Sequence, residues 1–295
     1  MSKEHKRLNL SAALASVSVA LCLVILKLWA LGQTQSLSVA ASLADSGLDL
    51  LVSALGLAAV AYAALPPDHD HAFGHSSAED LSALGQGLFL LVTALALATV
   101  SIERLLTPTP VTLAAEGAGI VVMVVSILLT GALVLWQRHV ARRTGNRVIA
   151  ADSLHYVGDL LPNIGAIAAL WMSSRYGISS LDTIVGLLAA LVLFIGALRI
   201  GIGAWHALMD HRADPDLIAG IETIISAHPG IRGFHDMRTR TAGSRTFVDF
   251  HIELDGQLSL NRAHAIGADL RRRIIDTYPQ TDILIHKDPY PEGEA

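Results

Sequence analysis

The stretch "LADSGLDL", residues 43–50, lies inside an apolar run that extends from Leu37 to Leu65. Asp45 and Asp49 interrupt it four residues apart, so on a helix they stack on one face. An ionisable group at bilayer depth costs about 2.5–3.5 kcal/mol or more unless it meets a partner or a wet cavity. Two like charges in such a run therefore predict a polar counterpart on another span. The segment "ADSLHYVGDLLPN", residues 151–163, supplies one, with His155 and Asp159 again four apart.

The surrounding composition is that of a membrane protein. Of 295 residues, 52% are hydrophobic and only 16% charged, and the mean hydropathy of +0.50 lies above that of ordinary soluble domains. Six runs reach the roughly 20 residues that a spanning helix needs: Leu8–Leu31, Leu37–Leu65, Leu81–Leu106, Val111–His139, Val148–Ser173 and Ile178–Met209. The first follows "MSKEHKR" and is longer than a signal-peptide core of about 7–15 residues, so it reads as a retained span. The breaks are "GQTQS", "PPDHDHAFGHSSAED", "TPTP", "RHVARRTGNR" and "SRYG", most of them punctuated by Pro or Gly. Lys3, Lys6, Arg7, Arg138, Arg142, Arg143, Arg147 and Arg212 gather on one side, against Arg175 and Arg104 on the other. The positive-inside rule then places both termini, and the His-rich loop between the second and third spans, in the cytoplasm. The expected location is the inner (plasma) membrane. A net charge of −5 offers no basic stripe for nucleic acid. The single cysteine, Cys22, excludes an internal disulfide or a thiolate metal cluster.

After Met209 the pattern changes. Asp214 is a helix cap with Pro215 at the first helical position, and Ile218, Ile221, Ile224 and Ile225 form a helical stripe. "IRGFHDMRTR" and "SRTFVDFHIEL" read as strands that turn at Gly243. In the second, Val248, Phe250, Ile252 and Leu254 share one face and His251 points to the other. "NRAHAIGADLRRRIIDTYP" is a helix capped by Asn261, and "TDILIHKD" a third strand. The expected architecture is thus a six-helix transmembrane bundle over residues 1–210. It is followed over residues 211–295 by a cytoplasmic two-layer αββαβ domain of the α+β class, ferredoxin-like or metallochaperone-like.

Opposed faces of the second and fifth spans would bring together three carboxylates and one imidazole, a donor set suited to four-coordinate Zn2+. The nitrogen donor moves preference away from Mg2+ towards borderline metals. Two plainer readings compete: ion pairing of the carboxylates with Lys27 or Arg199, and a metal-free proton relay. Asp152 reads as a helix-end residue at the interface. Asp68, His69, Asp70, His71 and His75 give the loop between the second and third spans a metal-binding composition, against a plain solvated loop. In the last domain His235, His251, His264, His286 and Asp288 are candidate zinc ligands, with His286 and Asp288 on one strand face. His5, His139, His206, His211 and His228 read as loop or helix-end residues.

DxxxD at Asp45 and Asp49, HxxxD at His155 and Asp159, six spans and an αββαβ tail together resemble the cation diffusion facilitator family, over nearly the whole chain and nearest to its bacterial zinc and iron efflux members. The resemblance implies a homodimeric antiporter that exchanges a divalent metal for protons, with Asp45, Asp49, His155 and Asp159 as the transport site. It implies a second site at Asp68, His71 and His75, and a pair of zinc ions near His235, His251, His264, His286 and Asp288. Zn2+ would be both cargo and a structural or regulatory ligand, with Fe2+ or Cd2+ as other cargoes. One departure stands out. The family often carries a Lys where this chain has Ser77, paired with an Asp at the position of Asp210. Two other functions remain: a non-transporting membrane metal sensor or store, and a membrane metallohydrolase, which would lack any HExxH or nucleophile-elbow motif.

Overall fold

The computed structural model describes residues 3–34, 37–106, 117–176 and 181–290. Six long helices come first: α1 (Lys3–Thr34), α2 (Leu37–Ala63), α3 (Ser77–Leu106), α4 (Gly117–Thr144), α5 (Arg147–Tyr176) and α6 (Leu181–Leu208). Among the described residues, α1, α2, α3, α4 and α6 contain stretches long and apolar enough to cross a membrane. The sixth long helix, α5, carries Asp152, His155 and Asp159 in its first half.

Large apolar side chains point outward all round this region, among them Leu14, Ile25, Leu55, Val92 and Leu128. Its interior is rich in smaller residues, such as Ala12, Ala20, Ala83, Ala94, Ala190 and Ala197, together with serines and two glutamines, Gln86 and Gln137. That inversion is expected where lipid is the solvent and helix contact depends on close approach rather than on hydrophobic expulsion. Between α5 and α6 the fit is reciprocal: Leu193 lies over Gly158, and Leu154 over Gly196, where an added Cβ would stand 2.7 and 2.5 Å from the leucine methyls.

The basic break expected between the fourth and fifth spans is mostly helix. α4 continues to Thr144, Gly145 takes a φ of 69°, and α5 starts at Arg147. Low hydropathy marked the whole "RHVARRTGNR" segment, but only Gly145 and Asn146 break the backbone. The Asn146 side chain caps the new helix by accepting from Ile149 N at 3.0 Å. Of the start of the fourth span, residues 111–116 lie outside the described residues.

A second compact unit takes the chain from His206 on, as the first covers His5–Trp205. It contains α7 (Pro215–Ser226), β1 (Gly233–Ala242), β2 (Arg245–Leu254), α8 (Leu260–Thr277) and β3 (Thr281–Pro289). The αββαβ order expected from sequence is present. β1 and β2 pair antiparallel, while β2 and β3 pair parallel through the α8 crossover, giving the sheet order β1-β2-β3. Asp214 caps α7 as expected, accepting from Asp216 N. The cap of α8 is Ser259, not Asn261: the Ser259 hydroxyl accepts from Arg262 N and the helix opens at Leu260. Val248, Phe250, Ile252 and Leu254 of β2 join Ile221, Ile225, Leu270, Ile274 and Ile283 in one core between sheet and helices. The opposite face of the sheet is left for the histidines.

Candidate metal centres

In the bundle, α2 and α5 pack together, and both also meet α3. His155 Nε2 stands 2.9 Å from Asp49 Oδ1 and 3.9 Å from Asp159 Oδ2. One ligand atom from each of Asp49, His155 and Asp159 lies within 4.8 Å of the other two. Zn–N and Zn–O bonds of about 2.0–2.1 Å put tetrahedral ligand atoms about 3.3 Å apart, a value these two distances bracket. Asp49 and His155 are buried. A cavity of about 250 Å³ opens beside them, walled by Asp45, His155 and Asp159 with Leu90, Thr93 and Leu193. Asp45, one turn before Asp49, thus borders the cavity and stands outside the close trio. Lys27 does not neutralise the carboxylates by contact: its Nζ donates to Ser46 Oγ at 2.6 Å and to the Ser42 carbonyl at 3.1 Å. Arg199 is exposed on α6.

Asp152 is no interfacial residue. It is buried one turn before His155, where Oδ2 accepts from Gln137 Nε2 at 2.6 Å and Oδ1 from Ser53 Oγ at 3.4 Å. Ser53 also meets the Tyr156 hydroxyl at 2.9 Å and Ser16 Oγ at 2.9 Å. Four helices, α1, α2, α4 and α5, are pinned by this chain of side chains directly behind the metal trio. Sequence reasoning missed Gln137, Ser16, Ser53 and Tyr156. The signal for Asp152 was its i, i+3 spacing to His155; for the others the polar residues were visible, but not which faces meet.

At the loop end, Asp68 gathers the second set. His71 Nδ1 lies 3.3 Å from its Oδ1, and His75 Nε2 3.2 Å from its Oδ2. The backbone N–H groups of Asp70 and His71 donate to the same carboxylate. The His71 amide holds the Asp68 carboxyl below the usual carboxylate range, and the two imidazoles act in the same direction. Tyr62 covers His75 edge-on at 4.6 Å between ring centroids. His69 and Asp70 are fully exposed. Nearby, Asp80, 1% exposed, pairs with Arg147 at 2.5 Å and ties α3 to α5. Asp210, which has no Lys at position 77 to meet, stands 3.4 Å from Arg240.

Strand register assembles the third set. His235 of β1 sits opposite His251 of β2, which sits opposite His286 of β3, so three imidazoles form a row across the sheet. Asp288 serves all three: Oδ2 is 2.8 Å from His251 Nδ1 and 3.5 Å from His235 Nε2, while Oδ1 is 3.2 Å from His286 Nε2. Its two oxygens face different histidines, a geometry that fits a carboxylate bridging two ions. The His251 hydrogen bond holds the Asp288 carboxyl below its usual range, reinforced by His286 and His235. A bulge between His235 and Arg238 brings Asp236, at a φ of 52°, to the His235–His251 pair, and Glu253 reaches His235 at 3.2 Å. Neither Asp236 nor Glu253 was foreseen. His264 is exposed on α8, outside this cluster. His228 lies in the connection just after α7, as expected of a loop or helix-end residue, but it is buried there, with Nε2 3.1 Å from Asp269.

Residues 13–213 match the family model of the cation efflux transmembrane domain, and residues 213–290 that of the cation efflux protein's cytoplasmic domain. The chain belongs to the cation efflux family. It is 38% identical over 289 residues to the cation-efflux pump FieF of Cronobacter sakazakii, an alignment covering 98% of this chain and 95% of that one. To the FieF pump of Shewanella oneidensis it is 42% identical over 280 residues, covering 94% and 93%. Among solved structures, the metal-bound C-terminal domain of the CzcD transporter from Thermotoga maritima aligns at 26% identity with a TM-score of 0.26, covering 27% of this chain and 93% of that chain. As a cation efflux protein, the chain is a membrane transporter of metal cations rather than an enzyme.

Proposed function

We propose that this cation efflux protein is a secondary transporter that exports a divalent transition metal from the cytoplasm in exchange for protons. Zn2+ is the favoured cargo, with Fe2+ and Cd2+ as further substrates. The observation that carries the reading is the meeting of Asp49 and His155, from separate spans, at 2.9 Å with Asp159 beside them. Asp45, on the cavity wall, completes the donor set when the ion enters.

The same atoms account for the exchange. Ligands must give up protons to hold a metal. Without an ion, a proton bridges His155 Nε2 and Asp49 Oδ1 and spares the bundle a bare buried charge. A divalent ion displaces that proton; protonation from the far side releases the ion. Alternating access of a homodimer, with α2 and α5 exposed first to one side and then to the other, turns this competition into antiport. Residues 1–210 form the transport domain, with both termini cytoplasmic in the inner (plasma) membrane. Residues 211–295 form the dimerising, metal-binding domain. There His235, His251, His286 and Asp288, joined by His264, would hold zinc ions that favour whichever arrangement binds them better. Asp68, His71 and His75 form a third metal site. A second reading, a membrane metal sensor, rests on that cytoplasmic cluster alone.

Reconstitution in liposomes with an enclosed zinc dye separates these readings. Zinc flux should respond to an imposed pH gradient, and metal binding in detergent should release protons. Zinc bound without flux would favour the sensor; flux indifferent to the gradient would remove the antiport.

A further inference from the structure

Gln86 of α3 is about nine-tenths buried, and neither polar atom of its amide has a protein partner among the described residues. A buried amide without a hydrogen bond lowers stability, and an apolar side chain of the same shape would remove that cost. Its neighbours make room for it. A Cβ added to Gly56 of α2 would stand 3.1 Å from Gln86 Nε2 and 3.4 Å from Val148 Cγ1 of α5. The amide therefore occupies a slot that a glycine keeps open between α2, α3 and α5.

Helical spacing places that slot. Gly56 is seven residues beyond Asp49, Gln86 seven before Thr93, and Val148 seven before His155. Asp49 and His155 belong to the metal trio, and Thr93 borders the cavity. All three helices thus put the slot two turns, about 10 Å, from the transport site. The displacement is towards the end of α2 and the start of α3, where the loop with Asp68, His71 and His75 joins them. One turn along α3 from Gln86, Leu90 lines the cavity itself.

Resting on the transport-site reading above, we propose that Gln86 is a transit ligand for the cation. Its amide oxygen replaces one water of the ion as it passes between the loop end of the bundle and the Asp49–His155–Asp159 trio, and Gly56 keeps that amide free to turn. The amide lowers the barrier to passage and adds nothing to resting affinity, being two turns from the ligands.

Zinc flux into liposomes, equilibrium zinc binding in detergent and thermal melting of the full chain test this together. Gln86→Leu should slow flux by at least about fivefold, a loss confined to the rate. Zinc affinity should stay at the wild-type value, and the melting temperature should hold or rise. Gly56→Ala should also slow flux, but Gly56→Ala combined with Gln86→Leu should be no slower than Gln86→Leu alone, because both act through the amide. Unchanged flux in Gln86→Leu would overturn the inference, as would a fall in flux matched by a fall in melting temperature. An Asp49→Ala chain that binds as many zinc ions, as tightly, as the wild type would instead overturn the transport-site reading.

Discussion

The bundle and the sheet hold the same chemistry in opposite settings. In the bundle, the side chains of Asp49 and His155 are each 8% exposed. On the sheet, those of His235 and His286 are 42% and 65% exposed. The exposed cluster can stand empty, because water solvates its ligands and their charges are screened. The buried one cannot: each charge there needs a metal, a proton or a fixed dipole. Under the proposed transport, this difference sets ion and proton in competition in the bundle, where Asp152, Gln137, Ser53 and Tyr156 stand behind the ligands.

Four experiments press on that comparison. The largest effect should come from the buried ligands: Asp49→Ala, His155→Ala or Asp159→Ala should each cut zinc flux by more than about 100-fold, beyond what losing a supporting residue costs. Wild-type flux in any of the three would erase the contrast between the two settings. Next, Asp152→Ala removes the carboxylate that Gln137 and Ser53 hold behind His155. Zinc affinity at the bundle site should fall by about 10–100-fold while zinc on the sheet cluster is unaffected; isothermal titration resolves the two classes. Arg147→Ala, third, removes the guanidinium that pairs with the buried Asp80 carboxylate. A loss of stability is expected, read as a lower melting temperature, and Asp80→Asn in the same chain should recover part of it.

The smallest effect on transport should come from the exposed cluster. Asp288→Asn should reduce zinc bound per chain with flux largely kept. Its pH signature has a definite sign. The folded carboxyl titrates below its usual range, so its stabilisation is complete above the ordinary value of about 3.9 and is lost as pH falls through the lowered one. Melting curves of the metal-free wild type should therefore decline below about pH 4, and the Asn variant should lack that part of the decline. Identical acid limbs would show that Asp288 makes no such hydrogen bond with His251.

Much of this was legible one residue at a time. A four-residue interval puts Asp45 and Asp49 on one helix face whatever else the chain does, and a two-residue interval does the same for His286 and Asp288 on a strand. Other features depended on neighbours distant in sequence. Asn261 has the chemistry of a cap, yet Ser259 takes that place because the helix opens one residue after it. Asp152 looked interfacial because its partners, Gln137 and Ser53, lie 15 and 99 residues away. Asp236 joins the sheet cluster only through a bulge that breaks the strand's alternation.

By itself the sequence determined the spans, the polar stripes on the second and fifth of them, and the order of helices and strands after Met209, because periodicity and hydropathy are local. Only the tertiary structure decided that Asp49 meets His155, that three histidines line up across β1, β2 and β3, and that Gln86 lies beside Gly56 with no hydrogen-bond partner among the described residues. Each of those depends on helix packing or strand register, which join residues that no local pattern relates.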